Sequence, residues 1–319
     1  MSPWATYYSH AHAIRRTPEL LTAVPWRAWL AFAALGIIWG VPYFFIKVAL
    51  RELAPFFVAW GRIVLATSSL LPLAWHRGGL RGLRAHRGAI VAFALAEFVI
   101  PFSAICIGER WISSSVTGIL IAGVPLTVIV SSRFFGVHEP LGTWRLTGLA
   151  VGLLGVVALV GLGSIGGAPG WAGVGCMLVA TLGYAIGPLI IQRYLAGLDA
   201  MGCLAVALLV ASVLLLVPAL LARPDHLPTG AALGSIAVLG LLCTAVAMLL
   251  MFYLVGHAGA ARAAVITYIN PAVATLLGVL LLDEHLGVGG YLGFALILVG
   301  SWLSTRGSPP AAVGAAAPG

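Results

Sequence analysis

The chain is a succession of apolar runs about 20 residues long, separated by short segments that hold glycine, proline and most of the charge. Residues 245–256 and 272–282 are apolar at every position, which fits neither the alternation of a half-buried strand nor the stripe of an amphipathic helix. A helix needs about 20 residues, at about 1.5 Å each, to cross hydrocarbon, and it satisfies its own backbone on the way. A membrane barrel would need alternating segments of about 10 residues. The pattern predicts an all-α polytopic membrane protein with helices over 28–50, 56–75, 88–108, 113–135 and 143–162. Five more are expected over 170–192, 202–222, 231–256, 260–282 and 287–305. Breakers at 78–79, 163–170, 224–230 and 287–290 punctuate them.

Composition agrees: 61% of residues are hydrophobic and 8% charged, against about a quarter charged in soluble domains. The net charge of +8 does not read as nucleic-acid binding, because the arginines collect beside apolar runs and are not interleaved with aromatics on one face. They read as topology signals. Arg15, Arg16, Arg27, Arg77, Arg81, Arg84, Arg87, Arg133, Arg145, Arg193, Arg262 and Arg306 fall on one side, and Arg51, Arg110 and Arg223 on the other. Both termini are therefore expected in the cytoplasm: a tail over 1–27, which carries no apolar core of a cleavable signal, and a disordered tail over 306–319. Arginine in place of nearly all lysine, with abundant alanine and glycine, suggests a GC-rich bacterial gene and hence the bacterial cytoplasmic membrane.

A shift of about 145 residues superposes the halves 28–162 and 170–305. It brings His138-Glu139-Pro140-Leu141 onto Asp283-Glu284-His285-Leu286, Gly148 onto Gly293, Gly155 onto Gly300, Trp39-Gly40 onto Tyr184-Ala185 and Lys47 onto Gln192. One residue of slippage aligns Pro125 with Pro271. Five helices per half is an odd number, so the second half enters the membrane from the opposite side, giving the inverted repeats found in transporters. Trp39-Gly40, Lys47, Pro125, Glu139-Pro140-Leu141 and Gly148, echoed by Asn270-Pro271, Glu284 and Gly293, resemble the EamA-like family of the drug/metabolite transporter superfamily over about residues 28–305. The resemblance implies a ten-helix secondary carrier of a small metabolite, many such carriers being exporters of amino acids and related solutes.

Candidate site residues follow from depth. Pro125 and Pro271 sit about a dozen residues into their helices, near mid-bilayer, where each frees a carbonyl, at Ile121 and Thr267. Matched interruptions in two repeats point to a binding site, with Tyr268 and Asn270 beside one of them. Glu97 also falls near mid-membrane, where an ionisable group is costly and a candidate for function. Arg62 lies about 10 Å below the end of its helix and Lys47 nearer the same surface. Either could hold an anionic group while Glu97 binds a proton or an amine. Alternatively, Arg62 and Glu97 form a structural pair and Lys47 snorkels outward. Trp39 and Tyr184 could line a central cavity or simply fill the core. Glu139 and Glu284 read as caps or short-range pairs at helix ends.

No metal site or cofactor is expected. Cys106, Cys176, Cys203 and Cys243 lack metal-ligand spacing, and His10 and His12 lie in a tail. Lys47, between Ile46 and Val48, is not in a phosphate loop. Catalytic signatures such as a zinc-binding His pair or a nucleophile elbow are missing, so an intramembrane enzyme, like a non-transporting scaffold or sensor, stands as the alternative reading. The expected partners are a small-molecule substrate and the lipid bilayer. Small-residue spacings at Gly36–Gly40, Gly148–Gly152 and Gly289–Gly293 favour close helix packing and would also allow a homodimer.

Overall fold

In the computed structural model, residues 26–134, 143–161, 167–258, 266 and 269–305 are described, and among them there are helices and turns but no strand. Six helical stretches are long and apolar enough to span a bilayer: Trp26–Ala49, Pro55–His76, Leu83–Gly108, Ala168–Tyr194, Ala200–Leu221 and Gly230–Leu254. Shorter apolar stretches, Ser114–Val128, Leu146–Leu159, Asn270–Leu281 and Val288–Leu303, occupy the places expected for the fourth, fifth, ninth and tenth helices. Cys106, Cys203 and Cys243 are buried and Cys176 half-buried, all as free thiols.

Several expected single helices are divided, and proline chemistry accounts for most of the divisions. The first consists of α1 (Trp26–Gly40) and α2 (Pro42–Ala49), bent at Val41, where Pro42 brings no N–H to the ladder. The second is α3 (Pro55–His76). The third is α4 (Arg87–Ala94), a π-helical turn (Leu95–Val99) and α5 (Ile100–Gly108). Pro101 cannot bond the Glu97 carbonyl one turn back, and the widened turn absorbs that mismatch. The fourth, expected unbroken over 113–135, is interrupted at Ala122-Gly123 between α6 (Ser114–Ile121) and α7 (Val124–Phe134), with Pro125 in the first turn of the second piece.

The first half ends with α8 (Thr143–Gly161). The second contains α9 (Gly167–Tyr194), α10 (Ala200–Leu221), α11 (Gly230–Ala237), a second π segment (Val238–Val246), α12 (Ala247–Ala258), α13 (Asn270–Leu281) and α14 (Val288–Thr305). Shifted by about 145 residues, the first π segment falls inside the second, so both repeats widen the same helix at the same place.

The repeat relation shows directly in the packing of α8 against α14. A Cβ on Gly300 would lie 2.6 Å from the Gly148 carbonyl oxygen, and one on Gly293 would lie 2.8 Å from that of Gly155. Exchanging Gly148 with Gly293 and Gly155 with Gly300 turns the first residue pair, Gly300 and Gly148, into the second, Gly155 and Gly293. An antiparallel pair related in this way is what a two-fold axis in the membrane plane requires. Gly36 and Gly40 serve a similar purpose, since a Cβ there would meet Ile269 at 3.1 Å and Val273 at 2.4 Å. These glycines are packing devices, as their spacing suggested.

The connections pair as alternating helices demand. Thr229, in the connection before α11, donates its amide to Glu52 Oε2 at 2.9 Å and its hydroxyl to Glu52 Oε1. These bonds hold the exposed Glu52 carboxyl below its ordinary range, so the tie persists above that range and is lost as the pH falls through the lowered value. On the opposite face Gly79 meets Asp199, whose Oδ1 accepts the Gly202 amide at 2.7 Å and caps α10.

Candidate transport site

Gly240 brings the second π segment against the backbone of α3, because a Cβ there would lie 2.8 Å from the Arg62 carbonyl oxygen. This contact sets Thr244 opposite Arg62, whose Nε donates to Thr244 Oγ1 at 2.8 Å while Oγ1 donates in turn to the Leu239 carbonyl at 2.8 Å. The Arg62 guanidinium carbon is 3.8 Å from the centre of the Phe102 ring, a cation–π contact with α5. Tyr43 and Tyr184 lie within its electrostatic reach. Arg62 is 7% exposed, and among the described residues no carboxylate pairs with it.

Glu97 is not paired with Arg62 among the described residues, so the alternative of a structural Arg62–Glu97 pair does not form. Its carboxylate packs on α9 at Gly187, where a Cβ would collide with Oε2, and Oε2 is buried without a hydrogen-bond partner. Val91, Ala92, Leu95 and Ile100 are exposed and mark the outer face of this helix. Glu97, two residues past Leu95, points to roughly the opposite side, yet it is only half-buried. Tyr184 is likewise half-buried while its neighbour Leu182 is exposed.

Trp39 and Tyr184 do not come together. Tyr184 packs on the main core, whereas Trp39 packs on a second cluster formed by Ala28, Ala31, Leu35, Ala247, Leu254 and Ile266. At the matched interruptions the carbonyls met by side chains are one residue from those expected. The Ser301 hydroxyl donates to Ala122 O at 3.0 Å, and the Asn270 amide nitrogen, in the orientation that satisfies it, donates to Ile266 O and Gly36 O at 3.0 Å each. Pro125 thus stands in the first turn of α7 and Pro271 in the first turn of α13, each beside a carbonyl that a side chain of the protein itself meets. Tyr268 and Glu139 lie outside the described residues.

Lys47 is half-buried and tied to backbone. Its ammonium donates to the Glu109 carbonyl and, at 2.8 Å, to the Ile112 carbonyl, closing the end of α5. Glu284 is a cap, as its position suggested, but for α6 of the other repeat and not for the helix that follows it. Oε1 accepts the Ser114 amide at 2.7 Å, and Oε2 accepts the Ser115 amide at 2.9 Å and the Ser115 hydroxyl at 2.6 Å. Three bonds from an anion to a helix N-terminus predict that Glu284→Ala costs about 2 kcal/mol or more. The expected readout is a lower thermal midpoint in lipid nanodiscs; an unchanged midpoint would remove the cap from the account.

The residue missed by sequence reasoning is Glu109. It lies just past an apolar run beside Arg110, where a charged helix end is unremarkable, yet it is wholly buried and neither side-chain oxygen has a partner among the described residues. No spacing signals this, because the burial comes from chain segments distant in sequence.

Apolar helices in two inverted repeats, with Arg62 and Glu109 buried among them, define a polytopic integral membrane protein. The chain belongs to the EamA-like transporter family, whose profile matches residues 26–161 and again 171–306. It is 28% identical over 281 residues to the "Uncharacterized inner membrane transporter YedA" of Escherichia coli K12, covering 87% of this chain and 90% of that one. It is 25% identical over 280 residues to the "Uncharacterized transporter YoaV" of Bacillus subtilis, covering 86% and 96%. A solved crystal structure with 19% sequence identity shares the fold at a TM-score of 0.62, over 87% of this chain and 96% of that one.

Proposed function

We propose that the protein is a secondary carrier of a small carboxylate-bearing, amino-acid-like metabolite, moved outward across the bacterial cytoplasmic membrane by alternating exposure of the space between the repeats. The observation that carries this is Arg62: a permanently charged guanidinium inside the bundle, held by Thr244 and Phe102 but lacking any acidic partner among the described residues. A cation buried this way is costly unless an anion meets it. A solute carboxylate supplies one, bound bidentately by the planar fork. Glu97, inward-facing with one oxygen unpartnered, receives the solute's amine. The exposed arginines Arg77, Arg81, Arg84 and Arg87 support the reading that the connection between the second and third spans, and with it both termini, faces the cytoplasm.

Counterflow in proteoliposomes tests the reading with a panel of radiolabelled amino acids, matched amines without the carboxylate, and matched carboxylates without the amine. Flux is expected for at least one amino acid and to be absent for its decarboxylated amine. Flux of the amine alone, or no flux of any carboxylate, contradicts it, and the second outcome favours a scaffold or sensor.

A further inference from the structure

We propose that Glu109 is a proton-binding site built into the seam between the two repeats at the outer end of the molecule, and that its proton is the coupling ion of the carrier. The inference rests on the carrier reading above. The seam is assembled from both halves: α2 with Lys47, the end of α5 with Glu109 and Arg110, the start of α6, and the turn after α13 with Glu284. Lys47, Leu50, Arg51, Glu109, Arg110, Leu282 and Glu284 line an open cleft of about 310 Å³, so water reaches the groups around Glu109.

Glu109 is 0% exposed, and among the described residues neither of its oxygens has a hydrogen-bond partner. A charged carboxylate kept this way is costly, whereas a neutral acid is tolerated. The charged and titratable groups around it are Lys47, Arg51, Arg110 and Glu284 along the cleft, with Tyr43 and Cys106 on the inner side. Glu284 is committed to three bonds from α6, and the Lys47 ammonium donates to two carbonyls, so neither is hydrogen-bonded to the Glu109 carboxyl. Burial pushes the Glu109 carboxyl above the usual carboxylate range, the Lys47 ammonium opposes this, and Glu284 adds to it. The cation that fits is a proton and not a sodium ion, because the carbonyls of Glu109 and Ile112 that could ligate a metal are occupied by Lys47.

The closed seam goes with a neutral Glu109. A proton taken from outer water forms an O–H bond on one carboxylate oxygen, removes the charge and lets the seam seal. Loss of that proton restores a charge that draws water in and parts the repeats. Proton entry from outside after solute release is the order an exporting antiporter requires.

Infrared difference spectroscopy of the full chain in lipid vesicles, stepped in pH without solute, reads the site directly. A carboxylic-acid C=O band is expected to titrate, to vanish in Glu109→Gln and to persist in Glu97→Gln. In Lys47→Gln its midpoint is expected to rise, since the opposing ammonium is gone; this variant decides the matter if Glu109→Gln fails to fold. A band unchanged in Glu109→Gln, a midpoint unmoved in Lys47→Gln, or displacement of the proton by sodium overturns the proposal. Because no solute is present, this result is independent of the carrier reading: a titrating Glu109 in a protein without flux keeps the site and loses only the coupling role.

Discussion

Replacing Arg62 with leucine is expected to lower solute flux, as kcat/KM, by about 10- to 100-fold while leaving the thermal midpoint unchanged or raising it. The flux figure follows from hydrogen bonds to a charged group, worth about 1.5–3 kcal/mol, at about 1.4 kcal/mol per factor of ten. The stability figure follows from the other side of the balance. In the empty protein Arg62 is a desolvated cation with one side-chain hydrogen bond, to Thr244, and a face on Phe102. Replacing a buried charge that has no counter-ion among the described residues by an apolar group removes a desolvation cost.

The two readouts together separate a binding role from a structural one. A structural arginine would take stability down with flux, whereas a solute anchor takes flux alone. Arg62→Lys keeps the charge but loses the planar fork, so it is expected to restore binding in part, with KM raised more than kcat is lowered. Native flux in Arg62→Leu would remove the anchor from the mechanism.

Much of the fold was legible because lipid imposes a simple grammar: span length, charge at the ends and a repeat of about 145 residues. The divisions inside spans were less so. Proline at 42, 101 and 125 marks where a ladder must give, but whether it yields a bend, a π turn or a full interruption depends on neighbours, as when Ser301 satisfies the Ala122 carbonyl. The second π segment contains no proline at all, and its Thr244 hydroxyl takes the Leu239 carbonyl instead.

For the site, depth alone picked out Arg62 and Glu97 but could not say what each faces. Arg62 meets a threonine from the other repeat, and Glu97 a glycine in α9. Lys47 stood out as the only lysine, yet its partners are backbone carbonyls. Such partners leave no trace in side-chain spacing.

Gly300→Leu is expected to abolish the folded protein, measured as loss of a monodisperse peak in detergent and of any cooperative thermal transition. A Cβ at this position would sit 2.4 Å from the Gly152 nitrogen, 2.6 Å from the Gly148 carbonyl oxygen and 2.7 Å from the Gly152 Cα. All three are backbone atoms of α8, so no side chain can swing aside, and the helices must separate along their whole crossing. Overpacking costs about 1–3 kcal/mol where side chains can adjust; here the cost exceeds that range, against a total stability of about 5–15 kcal/mol for ordinary domains. The two-fold relation extends the prediction to Gly155→Leu, the image substitution, whose Cβ would lie 2.8 Å from the Ile297 nitrogen. It is expected to fail equally, while Gly175→Leu, on an exposed face with nothing within 4 Å, is expected to fold as the native chain does. Unequal outcomes for Gly155 and Gly300 would mean that the two repeats do not share the crossing as symmetric halves, and the inverted architecture would lose its strongest packing support.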